Sequence, residues 1–342
     1  MVEFQINDPS IESQWRALIL FGKNSATYKF AFAKALLEVV ENQKSTITLE
    51  ELSKPFADSI VEHLKLSDKQ GNSPSSTFLN KCRDFRDGKI NSEELYWNTK
   101  KLGFDAVVDA FHNIHGDVIL NKFYEVNPSN KKELIITDNL LKIKELFQFK
   151  NLNQEVEARW RLVETAWDLN IKAKLLEVQY DEDNSMLFIN HKDIMRRIDI
   201  TSSRDALNGY QKGKCFYSFQ DISINPEDEN LCHVDHFFPH VNIFNHYQSN
   251  ANLNGVWNLV LADKKINGNK LARIPHEKYL ARLFNRNEFY IESKHPLAET
   301  IINQTGSTKE QRRKFLQNQY AIARKNSSQI KWKPEVELEG TF

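Results

Sequence analysis

The stretch HVDHFFPHVNIFNHYQSNANLNGVWNLVLADKKINGNK, residues 233–270, decides the fold of the second half of this 342-residue chain. Its first part, HVDHFFP, is a short run with Val and Phe that a proline closes, which predicts a strand that ends abruptly. VWNLVLAD is a second apolar run of strand length, and Asp263 is a suitable N-cap for a basic helix after it. The stretch therefore predicts strand, loop, strand and helix, with Asp235 and His236 on the first strand opposite Asn267 on the helix.

Three blocks of this stretch resemble a known family. They are Asp-His-x-x-Pro on the first predicted strand, Asn-Leu-Val-Leu-Ala on the second, and Asn-x-x-Lys on the helix. In this order they resemble the blocks of the HNH, or ββα-metal, nucleases. The segments NGYQKGKCFYSF and RNEFYIESKHPLAETIINQTG extend the resemblance over residues 200–320, where the chain is similar to bacterial HNH endonucleases found among phage-defence genes. The resemblance implies an α+β fold and hydrolysis of DNA phosphodiester bonds, in anti-phage defence or restriction.

The residue types in these blocks suit phosphodiester hydrolysis. The reaction needs a nucleophilic water, a base that takes its proton, and a cation that stabilises charge on the phosphate. His236, a residue type with an ordinary pKa of ~6.5, can be that base at neutral pH. Asp235 offers a carboxylate oxygen and Asn267 a carbonyl oxygen, a set that suits Mg²⁺ or Mn²⁺. We therefore expect His236 to be the general base, with Asp235 and Asn267 as metal ligands.

Two further residues are candidates for this site. The resemblance implies that Asn258, in the middle block, orients the catalytic histidine or its backbone and belongs to the catalytic set. His233 lies two residues before Asp235, so the two side chains point to the same side of the strand. His233 is therefore a candidate third metal ligand or phosphate contact.

Basic side chains near the blocks are candidates for binding nucleic acid. Lys270 lies one helical turn beyond Asn267 and can meet a phosphate as a point charge, and Arg273 is the next candidate. The others are Lys264, Lys265 and His240. From Asp263 to Lys333 there are sixteen Lys and Arg against six Asp and Glu, although the formal net charge of the chain is zero. This region, with its segment KEQRRKFLQNQYAIARK, favours a polyanionic partner, unless the basic helix faces are only solvated.

Many HNH nucleases bind a structural zinc ion through two Cys-x-x-Cys pairs. The corresponding positions here are Cys215, Ser218, Asp263 and Ile266. One thiolate in such a set makes a poor zinc site, so we expect no structural zinc. Apolar packing must then hold the fold, and the available side chains are Phe216, Tyr217, Phe219, Trp257 and Ile266. The other cysteines, Cys82 and Cys232, complete an odd number without paired spacing, so we expect no disulfide framework.

The remainder of the chain predicts a mainly helical N-terminal region, acidic overall. Its segments such as ATYKFAFAKALLEVVEN are amphipathic, and a further helix is expected over Ser92–Leu102. Thr48 and Glu51 have the spacing of a capping box, while Ser-Lys-Pro at residues 53–55 offers a second possible helix start. NKFYEVNPSNKKELIITD and LLEVQYDEDNSMLFI each predict two strands around a turn. The helix that follows residue 150 places Trp160 and Trp167 on a core-facing stripe.

These patterns suggest three parts. Residues 1–150 form a mainly helical regulatory, partner-binding or DNA-sensing domain, residues 151–200 a connecting helix and hairpin, and residues 201–335 an HNH ββα-metal nuclease domain with basic C-terminal helices. The connecting part is compatible with either domain.

Composition agrees with a folded protein, since 40 % of residues are hydrophobic and 11 % aromatic. The sequence has no apolar run of ~18 residues and no signal-peptide pattern, so we expect a cytoplasmic protein without a membrane partner. The leading hypothesis is an HNH endonuclease that cleaves DNA with Mg²⁺ or Mn²⁺. Because an unrestrained nuclease is toxic to a cell, we expect either low basal activity or an activating partner protein, such as one of a defence system. Alternatives are a ribonuclease with the same site, and a catalytically silent HNH fold that binds nucleic acid or protein.

Overall fold

The computed structural model of the protein describes residues 9–21, 26–42, 44–71, 76–114, 117–146, 148–168, 178–191, 196–239, 251–292, 295, 297–325 and 331–342. The chain divides into two compact units, Met1–Leu169 and Asn170–Phe342. Helices and small antiparallel sheets occur in both units, so the fold is of the expected α+β class.

The described part of the first unit is mainly helical. Its helices are α1 Ile11–Phe21, α2 Tyr28–Val40, α3 Leu49–Leu66, α4 Thr77–Arg86, α5 Ser92–Leu102, α6 Val107–Ala110, α7 Asp138–Lys144 and α8 Phe149–Asp168. Its strands are β1 Thr46–Thr48, β2 Asn113–Ile114, β3 Asp117–Val118, β4 Tyr124–Val126 and β5 Glu133–Ile136. Strand β5 pairs with β1 on one side and β4 on the other, all antiparallel, and β2 pairs with β3.

Local signals set the helix starts of the first unit. Thr48 caps α3 through a complete capping box with Glu51, and the helix continues through Pro55, so the first of the two possible starts is the one used. Helix α5 spans the predicted residues Ser92–Leu102. The predicted turn between β4 and β5 is also present. Helix and hairpin predictions that depend on neighbouring residues are therefore confirmed.

The boundary between the units lies inside the region 151–200 that the sequence analysis set apart. Helix α8 packs in the first unit, where Glu155 pairs with the buried Arg16 at 2.7 Å and Trp160 stacks on Phe30. Trp160 is buried as expected, whereas Trp167 is half-buried. The hairpin belongs to the second unit, so the region is divided between the two units rather than forming a part of its own.

The described part of the second unit mixes strands and helices. Its strands are β6 Val178–Asp181, β7 Met186–His191, β8 Arg196–Ser202, β9 His233–His236 and β10 Leu259–Ala262. Its helices are α9 Ser203–Gln211, α10 Lys264–Lys270, α11 Glu277–Glu292, α12 Ala298–Thr305 and α13 Lys309–Lys325, with a 3₁₀ turn at Val256–Asn258. Strands β6, β7 and β8 form a meander, and β9 pairs with β10.

The two predicted strands and the helix are confirmed at β9, β10 and α10, and residues 240–250 of the predicted loop lie outside the described residues. The two strands are antiparallel, with His236 opposite Leu259 and Asp235 opposite Val260. The side chain of Asp263 accepts hydrogen bonds from the backbone N–H groups of Lys265 and Ile266, as expected of an N-cap. The sharp transition from β10 into α10 is therefore fixed by a local cap.

A tight loop at residues 214–223 lies against β10 of the second unit. Within it, the N–H of Phe219 donates to the carbonyl of Cys215, and the N–H of Phe216 donates to Leu261 of β10. Five side chains that were expected to supply apolar packing are all buried, namely Phe216, Tyr217, Phe219, Trp257 and Ile266. The loop is thus joined to β10 by a backbone hydrogen bond and by the core.

Segment 331–342 lies across the same loop. The N–H of Leu338 donates to the carbonyl of Ser218, and Lys212 donates to the carbonyl of Thr341. The Phe342 ring packs against Phe219, with ring centroids 4.8 Å apart. Segment 331–342 and the loop therefore form one packed layer of the second unit.

Candidate active site

The two-stranded sheet sorts the candidate residues onto two faces. Side chains alternate along a strand, so His233 and Asp235 of β9 share one face and His236 points to the other. The contacts agree with this alternation. Asp235 meets Lys270 of α10, whereas the His236 ring lies 5.7 Å from the ring of Tyr180 on β6.

Asp235 is held inside the second unit by two donors. Its Oδ2 accepts a hydrogen bond of 2.6 Å from the Tyr217 hydroxyl, and its Oδ1 accepts one of 3.0 Å from Lys270 Nζ. The residue is 6 % exposed. Burial raises the pKa of Asp235 above that of an ordinary aspartate, while Lys270 and Tyr217 favour the charged form and oppose this effect.

Lys270 points inward rather than towards solvent. It is completely buried, and its Nζ also donates to the backbone carbonyl of His236 at 2.8 Å. Because Lys270 lies one helical turn beyond Asn267, it was expected to contact a phosphate. The spacing does place Lys270 next to the Asp-His pair, but the carboxylate of Asp235 and the backbone carbonyl of His236 already bind its ammonium group. A phosphate contact would require Lys270 to leave both.

A divalent cation does not fit at Asp235 in this arrangement. Such ions bind carboxylate oxygens at about 2.0–2.6 Å. Because Lys270 Nζ lies 3.0 Å from Oδ1, an ion bound there would lie against a positive charge. Within the described ranges, no group of three or more His, Cys, Asp or Glu side chains is arranged to hold a metal. Metal binding by Asp235 therefore requires Lys270 to move.

His236 is a buried histidine with a polar neighbour. The residue is 7 % exposed, and its Nε2 lies 3.1 Å from the side-chain oxygen of Asn254. A hydrogen bond at this distance requires a proton on Nε2, which makes Nδ1 the basic nitrogen of a neutral ring. Asn254 thus selects the tautomer of His236.

Asn258 fixes the backbone just beyond His236. It is completely buried, its side-chain oxygen accepts from the N–H of Phe238 at 2.9 Å, and its side-chain nitrogen donates to the carbonyls of Phe238 and Leu253. Its own carbonyl accepts the N–H of Phe237. The asparagine therefore ties the end of β9 to the residues that precede β10, and it acts on the backbone rather than on the His236 ring.

Asn267 lies beside His233, on the half-exposed edge of the site. Its side-chain nitrogen is 3.5 Å from His233 Nδ1, a distance at the outer limit for a hydrogen bond. Burial lowers the pKa of His233, and the nearby Arg204 and Lys264 lower it further. His233 is therefore held in its neutral form, the form in which an imidazole can accept a hydrogen bond or bind a metal.

The remaining nucleic-acid candidates lie on the surface of α10 and the turn after it. Lys264, Lys265 and Arg273 are exposed. The Arg273 Nε donates to the carbonyl of Lys270 at 3.3 Å, which holds the guanidinium group next to the C-terminal end of α10. His240 lies outside the described residues.

The four positions that correspond to zinc ligands have other contacts. The thiol of Cys215 accepts the N–H of Asp263 at 3.4 Å, and the Ser218 hydroxyl lies 3.3 Å from Gln220 Oε1. Asp263 caps α10, and Ile266 is buried in the core. Each of the four residues therefore has a place in the packing or hydrogen bonding of the second unit.

Sequence reasoning missed several residues that shape this site. Tyr217 was expected only to pack, and Asn254 was not singled out. Gln211 was also missed: its side chain donates to the carbonyl of Leu261 and accepts its N–H, and so pairs with the free edge of β10. The buried Arg286 donates to three carbonyls between Val256 and Leu259. The Asn-Gly pair at residues 254–255 is a turn signal that could have identified Asn254; the others carry no local signal.

Comparisons of the chain with protein-family models, curated proteins and solved structures gave no match. Among the described helices, none is both long enough and apolar enough to cross a lipid bilayer.

Proposed function

We propose that the second unit hydrolyses phosphodiester bonds in nucleic acid, as an HNH endonuclease. One observation carries the proposal: β9, β10 and α10 bring the three sequence blocks together in a strand, strand and helix arrangement. In that arrangement Lys270 contacts both residues of the Asp-His pair, and Asn258 binds the backbone two residues beyond it.

The base of the proposed reaction is His236. Asn254 contacts Nε2 and orients the ring, and the imidazole of His236 would take the proton of the attacking water. Asn258 keeps the end of β9 in place, which fixes where the imidazole ring stands relative to the substrate.

The contacts of Asp235 bear on whether the proposed reaction uses a metal ion. A bound Mg²⁺ or Mn²⁺ would supply positive charge to the phosphate. The residue types at Asp235, Asn267 and His233 suit such an ion, but the contacts between Asp235 and Lys270 do not. Metal dependence therefore stays a prediction.

The substrate we favour is DNA. Lys264, Lys265 and Arg273 offer an exposed basic surface beside the site, and phosphate contacts of this kind hold a nucleic-acid backbone without reading its sequence. RNA remains the alternative, and competition between the two substrates distinguishes them. A role in phage defence, a cytoplasmic location and an activating partner protein are predictions that rest on the sequence.

Plasmid cleavage tests the proposal. Purified full-length protein is incubated with supercoiled DNA and Mg²⁺ or Mn²⁺, and with EDTA in a parallel sample. We expect nicked or linear product that His236→Ala abolishes. His276→Ala is the matched control, because His276 lies at the start of α11 and should leave cleavage unchanged. Equal cleavage by His236→Ala and the wild type would refute His236 as the base.

The contacts of Asp235 with Lys270 and Tyr217 disfavour metal binding, and they favour a second function. Asp235, Lys270 and Tyr217 satisfy one another inside the core, as expected of a site retained for structure. The unit would then be a catalytically silent module that binds nucleic acid. Its signature is binding of labelled DNA by fluorescence anisotropy without cleavage under any metal condition, and with the same affinity in His236→Ala.

A further inference from the structure

The Lys270–Asp235–Tyr217 network is the most buried charged cluster at the candidate site. Lys270 is 0 % exposed and Asp235 is 6 % exposed, and the nitrogen and oxygen of the pair are 3.0 Å apart. The Tyr217 hydroxyl donates to the other carboxylate oxygen, and Lys270 Nζ lies 6.0 Å from the Tyr217 ring centroid. Because little solvent reaches the pair, the charge of each side chain is compensated mainly by the other.

This compensation has a consequence for any second cation. A buried carboxylate that loses its only cationic partner must find another or become protonated. A divalent ion could replace the ammonium group, but two cations at one buried oxygen repel strongly. Asp235 can therefore be neutralised by Lys270 or by a metal ion, not by both in the same geometry.

The residue that follows Lys270 has a strained backbone conformation. Helix α10 ends at Lys270, and the next residue, Leu271, has φ 49° and ψ −133°. This region is disfavoured for a residue with a Cβ atom and is usually occupied by glycine. Leu271 is also 71 % exposed, so burial of its side chain does not explain the conformation.

We propose that Lys270 and a divalent cation compete for Asp235, so that the Lys270–Asp235–Tyr217 network is a resting, metal-excluding state of the site. This inference rests on the proposed nuclease function, because it concerns the metal that such a nuclease would use. It assigns Lys270 a positioning role: the residue controls access to a metal ligand. It also gives the expected low basal activity a physical cause within the chain.

Metal binding measured without substrate tests the competition. Binding of Mn²⁺ to full-length protein is followed by the electron paramagnetic resonance signal of the free ion, for the wild type and for Lys270→Met. Methionine keeps most of the apolar stem of the side chain and removes its charge. We expect Mn²⁺ to bind Lys270→Met at least ten times more tightly than the wild type. The double variant Asp235→Asn, Lys270→Met should lose this gain, because it lacks the carboxylate.

Thermal unfolding provides a second readout and a test of folding. Lys270→Met leaves a buried carboxylate uncompensated, so Mn²⁺ should raise its unfolding temperature more than that of the wild type. Lys270→Gln, which keeps a polar group, should show the same direction if the methionine variant does not fold. Tyr217→Phe keeps Lys270 in place and should resemble the wild type in Mn²⁺ affinity.

The outcomes separate this inference from the proposed function. Equal or weaker Mn²⁺ binding by the Lys270 variants would overturn the competition, and so would a gain that survives in the double variant. If the competition is overturned while the wild type cleaves plasmid through His236, the nuclease proposal stands. If Lys270→Met binds Mn²⁺ through Asp235 but no variant cleaves DNA, the competition stands and the nuclease proposal fails.

Discussion

Arg282 is predicted to fix the loop at residues 214–223, a role that a structural zinc ion has in HNH nucleases. This residue of α11 donates to the carbonyls of Phe216 and Tyr217, in the loop that would carry zinc ligands. It also pairs with Glu337 of segment 331–342 at 2.7 Å and stacks over the Phe219 ring at 4.1 Å. One side chain thus joins the helix, the loop and the segment. Arg282→Met keeps most of the apolar stem and removes these polar contacts.

The expected loss of stability follows from these contacts. A hydrogen bond from a charged donor to a buried carbonyl contributes about 1.5–3 kcal/mol. The ion pair with Glu337 is partly solvated, so it adds less than about 1 kcal/mol. Stacking over Phe219 adds a further ~0.5–1 kcal/mol. Because neighbouring contributions are not additive, we expect Arg282→Met to destabilise the loop by about 3 kcal/mol.

Hydrogen exchange measures this change locally, which matters because the two units need not unfold together. Peptides that cover residues 213–221 report on the backbone hydrogen bonds of the loop, and about 3 kcal/mol corresponds to roughly 100-fold faster exchange. Arg313→Met is the matched control, since Arg313 is exposed and lies over Phe284 at 5.0 Å. A less than threefold increase for Arg282→Met, or an equal effect of Arg313→Met, would refute the assigned role.

Other sites give three more predictions. Leu271→Gly should raise the free energy of unfolding by about 1 kcal/mol in chemical denaturation, because glycine adopts the positive φ of this residue without strain. Leu271→Ala keeps the Cβ atom, so an equal gain in that variant would contradict the explanation. Asn258→Ala removes three hydrogen bonds to buried backbone groups and should cost about 3 kcal/mol in the same assay; a loss below about 1 kcal/mol would contradict it. In the first unit, burial alone would lower the pKa of His63, but Glu157 and Glu164 outweigh it and raise that pKa. The stabilisation by protonated His63 is then complete below the ordinary histidine pKa of ~6.5 and is lost as the pH rises through the raised pKa, so the advantage of the wild type over His63→Gln should shrink as the pH rises above ~6.5. A difference that does not vary with pH would exclude this coupling.

Local sequence signals predicted the elements that carry the site. The Asp263 cap, the proline that ends the HVDHFFP run and the apolar run before α10 each act within a few residues, so they could be read without a structure. The capping box at Thr48 and Glu51 was also predicted from the sequence. The structure was needed to show which of the two possible starts the helix uses. Such signals work because their energies arise between neighbours in the chain.

The partners of the candidate residues could not be predicted in this way. Tyr217 and Lys270 lie 18 and 35 positions from Asp235, and no periodic pattern links them to it. Helical spacing placed Lys270 beside Asn267, but spacing cannot distinguish a lysine that faces a phosphate from one that faces a buried carboxylate. That choice depends on burial, which is set by the packing of the whole unit.

The same packing connects the loop that lacks zinc ligands to the carboxylate of the site. Tyr217 donates to Asp235, and the ring of Tyr217 lies 5.0 Å from that of Trp332 in segment 331–342. The segment is also bound to Arg282 through Glu337, so a change in the segment reaches Asp235 through one tyrosine. A zinc ion would fix this loop independently of its neighbours, whereas side-chain packing makes the position of Tyr217 depend on the segment. Because side-chain packing holds the loop, the geometry at Asp235 is sensitive to segment 331–342. Trp332→Ala should accordingly speed hydrogen exchange both in residues 213–221 and in β9, and exchange that changes in the loop alone would show that the two are not coupled.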